Sequence, residues 1–204
     1  MVKVLAVLEY MFHGSCRKLS KVLSLALEPI SKSTVHELAR IVSSRVVLAS
    51  KPGYRRCIAV DETKLSVKGV WVYVWSAVDI DSGELLALEA SYGRSCLNAF
   101  TFLKKALKLC TNKPMVIVDR GPWYRLALER LGLEYRCERF GLRNRVERFF
   151  RYLKERTMVF HHRMSARDHI EGIRNLNLFL KLFTLYYQTV RRGWDEMLIR
   201  TLSG

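Results

Sequence analysis

Apolar positions change their spacing along the chain, and each change marks a new element. From Ser15 to Leu27 they recur every three to four residues, which puts Cys16, Leu19, Val22, Leu23 and Ala26 on one helical face. Pro29 stops that helix. Thr34-Val35-His36-Glu37 reads as a capping box opening a second helix through about Ser43, with Val35, Leu38, Ala39 and Val42 inward. Two short amphipathic helices around a turn suit a plain helical hairpin as well as a helix-turn-helix whose second helix enters a major groove. Val47 to Arg56, with Pro52 and Gly53, reads as a linker.

At Cys57 the period shortens. Cys57-Ile58-Ala59-Val60-Asp61 is an apolar run closed by an acid, as expected of a buried strand. Val70 to Ile80 is β-branched and aromatic, Asp81-Ser82-Gly83 is a hairpin turn, and Leu85 to Ser91 returns as a third strand. A helix is predicted over 97–109, with Phe100, Leu103, Ala106 and Leu107 inward. Pro114 to Asp119 is a second buried strand ending in an acid. Helix near 123–131, strand near 133–137 and helix over about 143–156 follow. The order β-β-β-α-β-α-β-α predicts an α/β mixed sheet covered by helices. Beyond it, Ile173, Leu176, Leu180, Phe183 and Tyr187 form the stripe of a C-terminal helix, with Trp194 in line, set against the core or a dimer partner.

Charge sharpens this division. The 204 residues hold 35 Lys plus Arg against 19 Asp plus Glu, a net +16. Residues 1–56 carry ten bases and three acids, 57–120 eight and seven, 121–163 eleven and five, and 164–204 six and four. Two basic segments therefore bracket a nearly neutral one, the arrangement expected of a protein that holds a polyanion across a central site. The basic front end favours the helix-turn-helix reading over the plain hairpin. Half the residues are hydrophobic, enough for a sizeable core. The N-terminal apolar run is too short for a secretory signal, and Leu176 to Tyr187 is too short for a membrane span. The expected setting is cytoplasmic and nucleoid-associated, with no membrane partner. Cys16, Cys57, Cys96, Cys110 and Cys137 never fall in a C-x-x-C spacing, so buried thiols are expected rather than zinc ligands or disulfides.

The candidate chemistry lies in the acids. Asp61 and Asp119 each close an aliphatic strand; on adjacent parallel strands both carboxylates would emerge at the carboxyl-end edge of the sheet. Taken singly, either could equally cap a strand end. Paired, they repel unless a divalent cation lies between them, and Mg²⁺ suits such oxygen ligands. On the 143–156 helix, Val146, Phe149, Phe150 and Leu153 form the buried stripe. Glu147 borders it, with Arg151 and Lys154 following at i+4 and i+7. That row suits a carboxylate holding metal beside a phosphate backbone, or an ordinary solvated Glu147–Arg151 pair.

Three blocks carry a resemblance. Ile58-Ala59-Val60-Asp61-Glu62-Thr63, Val116 through Asp119-Arg120-Gly121-Pro122-Trp123-Tyr124, and Arg143-Asn144-Arg145-Val146-Glu147-Arg148 through Lys154-Glu155-Arg156-Thr157 resemble the catalytic motifs of DDE transposases, nearest to the insertion-sequence elements of family six and their archaeal relatives. Ser165-Ala166-Arg167 matches a segment after their core. The resemblance implies a ribonuclease-H-like core preceded by a helix-turn-helix. It implies Asp61, Asp119 and Glu147 as catalytic and metal-binding triad for two Mg²⁺ ions, with Mn²⁺ able to substitute. Lys154 matches the family's basic contact to element-end DNA. Glu147 follows Asp119 by 28 residues, fewer than in typical bacterial members, a difference that a shortened surface loop accommodates.

The expected organisation is therefore a helix-turn-helix over 1–46, a linker over 47–56, a catalytic core over 57–160 and a C-terminal helical segment over 161–204. Arg145, Arg148, Arg151 and Lys154 would contact DNA from the catalytic helix, and Lys32, His36 and Arg40 from the second N-terminal helix. The expected partners are double-stranded element ends and target DNA, with a homodimer or higher oligomer at synapsis. The activity expected is metal-dependent cleavage and strand transfer. Its rivals are another ribonuclease-H-like nuclease or integrase, and a domesticated DNA-binding protein without catalysis. Glu62 points to the opposite face from Asp61 and is assigned a solvent role. Asp79 and Asp81 are read as turn residues, His161, His162 and His169 as part of a charged loop, and Trp71, Tyr73 and Trp75 as one packed face.

Overall fold

The computed structural model describes residues 6–7, 10, 16–26, 29–45, 51–67, 69–138, 141, 144–161 and 167–192. The expectations for His162, Ser165, Ala166, Trp194 and residues 47–50 lie outside the described residues, as does the side chain of His161. Two N-terminal helices, α1 (Cys16–Ala26) and α2 (Lys32–Arg45), precede β1 (Cys57–Val67), β2 (Val70–Asp79) and β3 (Leu85–Ser91). Then come α3 (Cys96–Leu107), β4 (Met115–Val118), α4 (Pro122–Leu131), β5 (Tyr135–Cys137), α5 (Asn144–His161) and α6 (His169–Arg192). The core follows the predicted alternation of elements.

The five strands form one mixed sheet in the order β3-β2-β1-β4-β5. β1, β2 and β3 pair antiparallel as a meander, while β4 and β5 run parallel to β1 and to each other. Helical crossovers supply the parallel connections, as geometry requires. β1 runs on to Val67, six residues past the expected end at Asp61. Leu65 and Val67 are buried between more exposed neighbours, so period-two alternation and the ladder to β2 carry the strand through a polar stretch. Gly69, at φ +81°, closes the tight connection that pairs Val67 with Val70.

The pleat divides the core in two. Ile58, Val60, Trp75, Val116 and Val118 pack under α3 and α4 with Phe102, Leu103, Tyr124 and Leu128. Cys57, Ala59, Val74 and Ile117 face the other way, towards Phe149 of α5 and Leu176, Phe179 and Phe183 of α6. Asn177 and Gln188 tie α6 to the edge strand: Asn177 Nδ2 donates to Ala90 O at 3.2 Å and Gln188 Nε2 to Leu85 O at 3.1 Å. The α6 stripe is core, with Leu176, Leu180, Phe183 and Tyr187 all buried. Leu19, Leu23, Val35 and Ala39 of the N-terminal pair join this second core, and α2 packs on α6.

Several local expectations are corrected. Ser31 caps α2, its Oγ accepting from Thr34 N at 3.0 Å, so the helix opens at Lys32 and not at Thr34. Val22 lies 58% exposed because α1 presents a narrower face, centred on Leu19 and Leu23, to the core. Cys137, on short edge strand β5, is exposed rather than buried. Trp75 is buried and Tyr73 half-buried, but Trp71 lies exposed at the start of β2 beneath the Lys64 ammonium.

Asp81-Ser82-Gly83 makes the expected turn, with Gly83 N donating to Asp79 O at 2.9 Å. Asp79 has a further role: Arg55 Nη1 reaches its carboxylate at 3.0 Å and Arg55 Nη2 reaches Glu84 at 2.5 Å. All three side chains are nearly buried. Removing the cation would leave two unpaired carboxylates in a low-dielectric setting. Arg55→Met is therefore expected to destabilise the fold by about 3–5 kcal/mol. Urea denaturation at neutral pH measures this, and an unchanged midpoint would rule out a structural role for the triad.

Candidate active site

The parallel register of β1 and β4 aligns Cys57 with Met115, Ile58 with Val116 and Ala59 with Ile117. Asp61 lies two residues beyond Ala59 in β1, and Asp119 two beyond Ile117, just past the end of β4, so both acids follow the paired stretch at the same offset. Both acids stand at the carboxyl end of the parallel pair, where the aliphatic runs that bury the strands stop. Pleat parity groups Asp61 with Cys57 and Ala59, on the α5 side of the sheet. Ser76, the β2 partner of Asp61, shares that side; its Oγ is fully buried without a hydrogen-bond partner.

Local backbone fixes both carboxylates. Asp61 is 6% exposed, and its Oδ1 accepts from Glu62 N at 3.0 Å. Asp119 Oδ1 accepts from Gly121 N at 2.7 Å, as the chain turns from β4 into α4. Gly121 has ordinary extended dihedrals, so conformation does not demand glycine there. Space does. A Cβ would stand 2.8 Å from Asp119 Oδ1 and 2.5 Å from the Trp123 ring.

On the opposite face of the same edge the structure corrects the reading of Glu62. It does point away from Asp61, but α4 covers it and only 4% of its side chain is exposed. Tyr124 Oη donates to Glu62 Oε2 at 2.5 Å, and Arg94 Nη1 approaches Oε1 at 3.4 Å. Burial pushes the Glu62 carboxyl above the usual carboxylate range; the Tyr124 hydroxyl and Arg94 pull it down, and the negative charges of Asp119 and Asp61 push it up. Tyr124 is raised well above the ordinary phenol value by its burial and by Glu62. The guanidinium of Arg94 lies over Trp123, 3.9 Å from the ring centroid, and 5.1 Å from that of Tyr73. The alternation of β1 assigned Glu62 to the other face, but what covers that face depends on α4, some sixty residues along the chain. Arg94 is a lone cation after a strand, with no periodicity to mark it.

The other predicted residues sit on helices. Glu147 lies in the first turn of α5, exposed, on the helix that packs against β1. Val146, Phe149, Phe150 and Leu153 form its buried stripe as expected, and Arg145, Arg148, Arg151 and Lys154 are exposed. Among the described residues, no three His, Cys, Asp or Glu side chains are gathered as a ready-made ion cluster. Asp61 and Asp119 thus share one sheet edge, each near enough to Glu62 for its charge to raise that carboxyl, while Glu147 is exposed in the first turn of α5. Lys32, His36 and Arg40 are exposed on α2, four residues apart in turn, with Arg40 pairing to Glu37 at 2.7 Å. His169 is exposed, and its carbonyl accepts from Tyr92 Oη at 2.6 Å.

The donor set at the edge is hard oxygen: two adjacent carboxylates and a buried, unpartnered serine hydroxyl. Such a set fits Mg²⁺ or Mn²⁺ better than softer ions. Residues 56–182 match the family described as the DDE domain. The chain belongs to the DDE transposase family. Over 193 residues it is 39% identical to the uncharacterized protein MJ0017 of Methanocaldococcus jannaschii, covering 93% of this chain and 86% of that one. It is 25% identical over 120 residues to the transposase for insertion sequence-like element IS431mec of Staphylococcus aureus. That match takes in 56% of this chain and 53% of the relative, so the chain spans about half the length of the staphylococcal transposases it matches. Among solved structures it is similar to the catalytic core domain of BIV integrase, at 17% identity and a TM-score of 0.46 over 70% of this chain and 98% of that one. It is also similar to a chain of the simian T-cell lymphotropic virus intasome, at 16% identity and a TM-score of 0.49 over 83% and 68%. The sheet order β3-β2-β1-β4-β5, with three antiparallel strands followed by two parallel ones, is the α/β mixed sheet expected of this DDE chain. Among the described residues, no helix is long and apolar enough to cross a membrane.

Two outcomes follow from the packing at this edge. Gly121→Ala is expected to force Asp119 or Trp123 from its place and to weaken divalent-ion binding, measured by calorimetric titration with Mn²⁺; unchanged affinity would mean that the turn relaxes freely. Glu62→Gln should raise the melting temperature of metal-free protein at pH 7, because the raised carboxyl is more costly to ionise in the folded than in the unfolded chain. The gain should vanish below the ordinary value of 4.5, where the carboxyl is protonated in both states. A gain of equal size at every pH would point to packing instead of charge.

Proposed function

We propose that this chain acts on DNA as a metal-dependent transposase, cleaving element ends and joining them to target DNA. The observation that carries the reading is the register of β1 and β4, which leaves Asp61 and Asp119 at matching offsets beyond the paired stretch, on the side of the sheet where α5 packs on β1. Family membership supports it. Asp61, Asp119 and Glu147 would hold Mg²⁺, as two ions for which Mn²⁺ can substitute. When bound, the metal supplies Lewis acidity to the attacking and leaving oxygens of a phosphodiester.

The chain's own residues bind and orient. Gly121 N–H and Glu62 N–H each hold one oxygen of Asp119 and Asp61 and so fix both carboxylates at the edge. Arg145, Arg148, Arg151 and Lys154 project from α5 beside Glu147 and engage the DNA backbone there. Lys32, His36 and Arg40 lie on the exposed side of α2, which reads the element end as the second helix of a helix-turn-helix. The chain works as a homodimer or higher oligomer when two ends are synapsed, among the DNA of the nucleoid.

The test is incubation of the purified chain with its flanking terminal repeats and Mg²⁺ or Mn²⁺. Nicked ends and strand-transfer products are expected. Asp119→Asn should abolish both while leaving DNA binding intact, and Lys154→Ala should flatten the salt dependence of binding by about one unit of slope. Firm binding without any nicking in either metal would make the chain a DNA-binding protein without catalysis.

A further inference from the structure

Arg94 belongs to none of the three catalytic blocks, yet it meets the same sheet edge. Its backbone is fixed where β3 hands over to α3. Ser95 caps that helix, with Ser95 N donating to Asn98 Oδ1 at 3.2 Å and Asn98 N to Ser95 Oγ at the same distance. Preceding Gly93 leaves room for this box, since a Cβ there would come within 3.0 Å of Asn98 Oδ1. The side chain then crosses to the site. Its guanidinium stacks over Trp123, the second residue of α4, and passes Tyr73 of β2.

A plain charge-balancing role would have Arg94 grip Glu62. The geometry is different. The approach to Glu62 is long, at 3.4 Å, whereas Tyr124 Oη bonds the same carboxyl at 2.5 Å. Stacking, at 3.9 Å, is the tighter constraint on the guanidinium. The side chain remains 41% exposed. A guanidinium carries five N–H donors in a rigid fork, and only Nη1 meets an acceptor among the described residues. Most of the fork therefore has no acceptor among the described residues, on a side chain whose carboxyl neighbour Glu62 directly follows Asp61 in β1.

We propose that Arg94 is a phosphate-binding residue of the Asp61–Asp119 site. Its guanidinium, held by the Trp123 and Tyr73 rings and steadied by Glu62, clamps a backbone phosphate of the DNA strand from the face opposite α5. The fork matches two phosphate oxygens, and the rings restrict its rotation before DNA arrives. DNA would then be gripped from both sides of the sheet edge, by the α5 cations on one and by Arg94 on the other. This inference rests on the DNA-processing reading above.

The experiment compares full-length wild type, Arg94→Ala, Arg94→Gln, Arg94→Lys, Glu62→Gln and the Arg94→Ala/Glu62→Gln pair. Each is assayed for Mn²⁺-dependent nicking of supercoiled plasmid and for binding to a short labelled duplex in EDTA across a range of salt. Arg94→Gln keeps an alkyl stem against Trp123, and its melting temperature reports whether the fold survives. Both neutral variants should lose roughly tenfold or more in kcat/KM and about one unit of salt slope, with Arg94→Lys recovering the slope but only part of the rate. The double variant should fall below Glu62→Gln by the same factor as Arg94→Ala falls below wild type. If the double variant matches Glu62→Gln, Arg94 acts only by offsetting Glu62 and the assignment is overturned. If wild type nicks DNA and the neutral variants nick it equally well, the assignment fails while the functional reading stands. If wild type binds but never nicks, the functional reading fails and this inference with it.

Discussion

Everything at the active edge depends on the parallel pairing of β1 with β4. Two acids fifty-eight residues apart in sequence reach one sheet edge because their strands share an offset that begins at Cys57 and Met115. A shift of one residue would move Asp61 to the other face, beneath α4, and away from α5. The fully buried aliphatic residues before each acid hold the register, since Ile58, Val60, Val116 and Val118 have a single face on which to pack. The fold thus uses its hydrophobic core to force together two charges that would otherwise separate.

The two faces of the edge then divide their tasks. Towards α5 lie the carboxylates, a hard-oxygen donor set with the buried Ser76 hydroxyl on the same side of the sheet. Towards α4 a third carboxyl is covered by Tyr124, flanked by Arg94 and sealed by aromatic rings. One face presents the two aspartates, and the other holds the Arg94 guanidinium against aromatic rings and Glu62. Gly121 links them, because its amide holds Asp119 while its missing side chain admits Trp123.

The order of core elements and the places of Asp61 and Asp119 after buried runs of β1 and β4 were legible because burial writes long apolar runs, and a charge closing such a run is conspicuous. The α5 stripe was legible through helical periodicity. Other features depended on contacts remote in sequence. Polar residues after Asp61 concealed a strand that the β2 ladder extends to Val67. Glu62 looked solvated because α4, which covers it, lies far along the chain. Ser31 capped α2 in place of Thr34 because the capping pattern can be satisfied three residues earlier. Asp79 read as a turn residue, which it is, while Arg55, the cation that makes it an internal strut, lay in what looked like linker.

The N-terminal helices share their core with α5 and α6. Leu19, Leu23, Val35 and Ala39 are buried in the same apolar mass as Phe149 and Phe179, and α2 rests directly on α6. A helix mounted in this way cannot swing on a tether. On the proposed reading, the interval between the bases that α2 reads and the phosphodiester at Asp61 is built into the protein as a ruler, and the position of the cut is a property of packing.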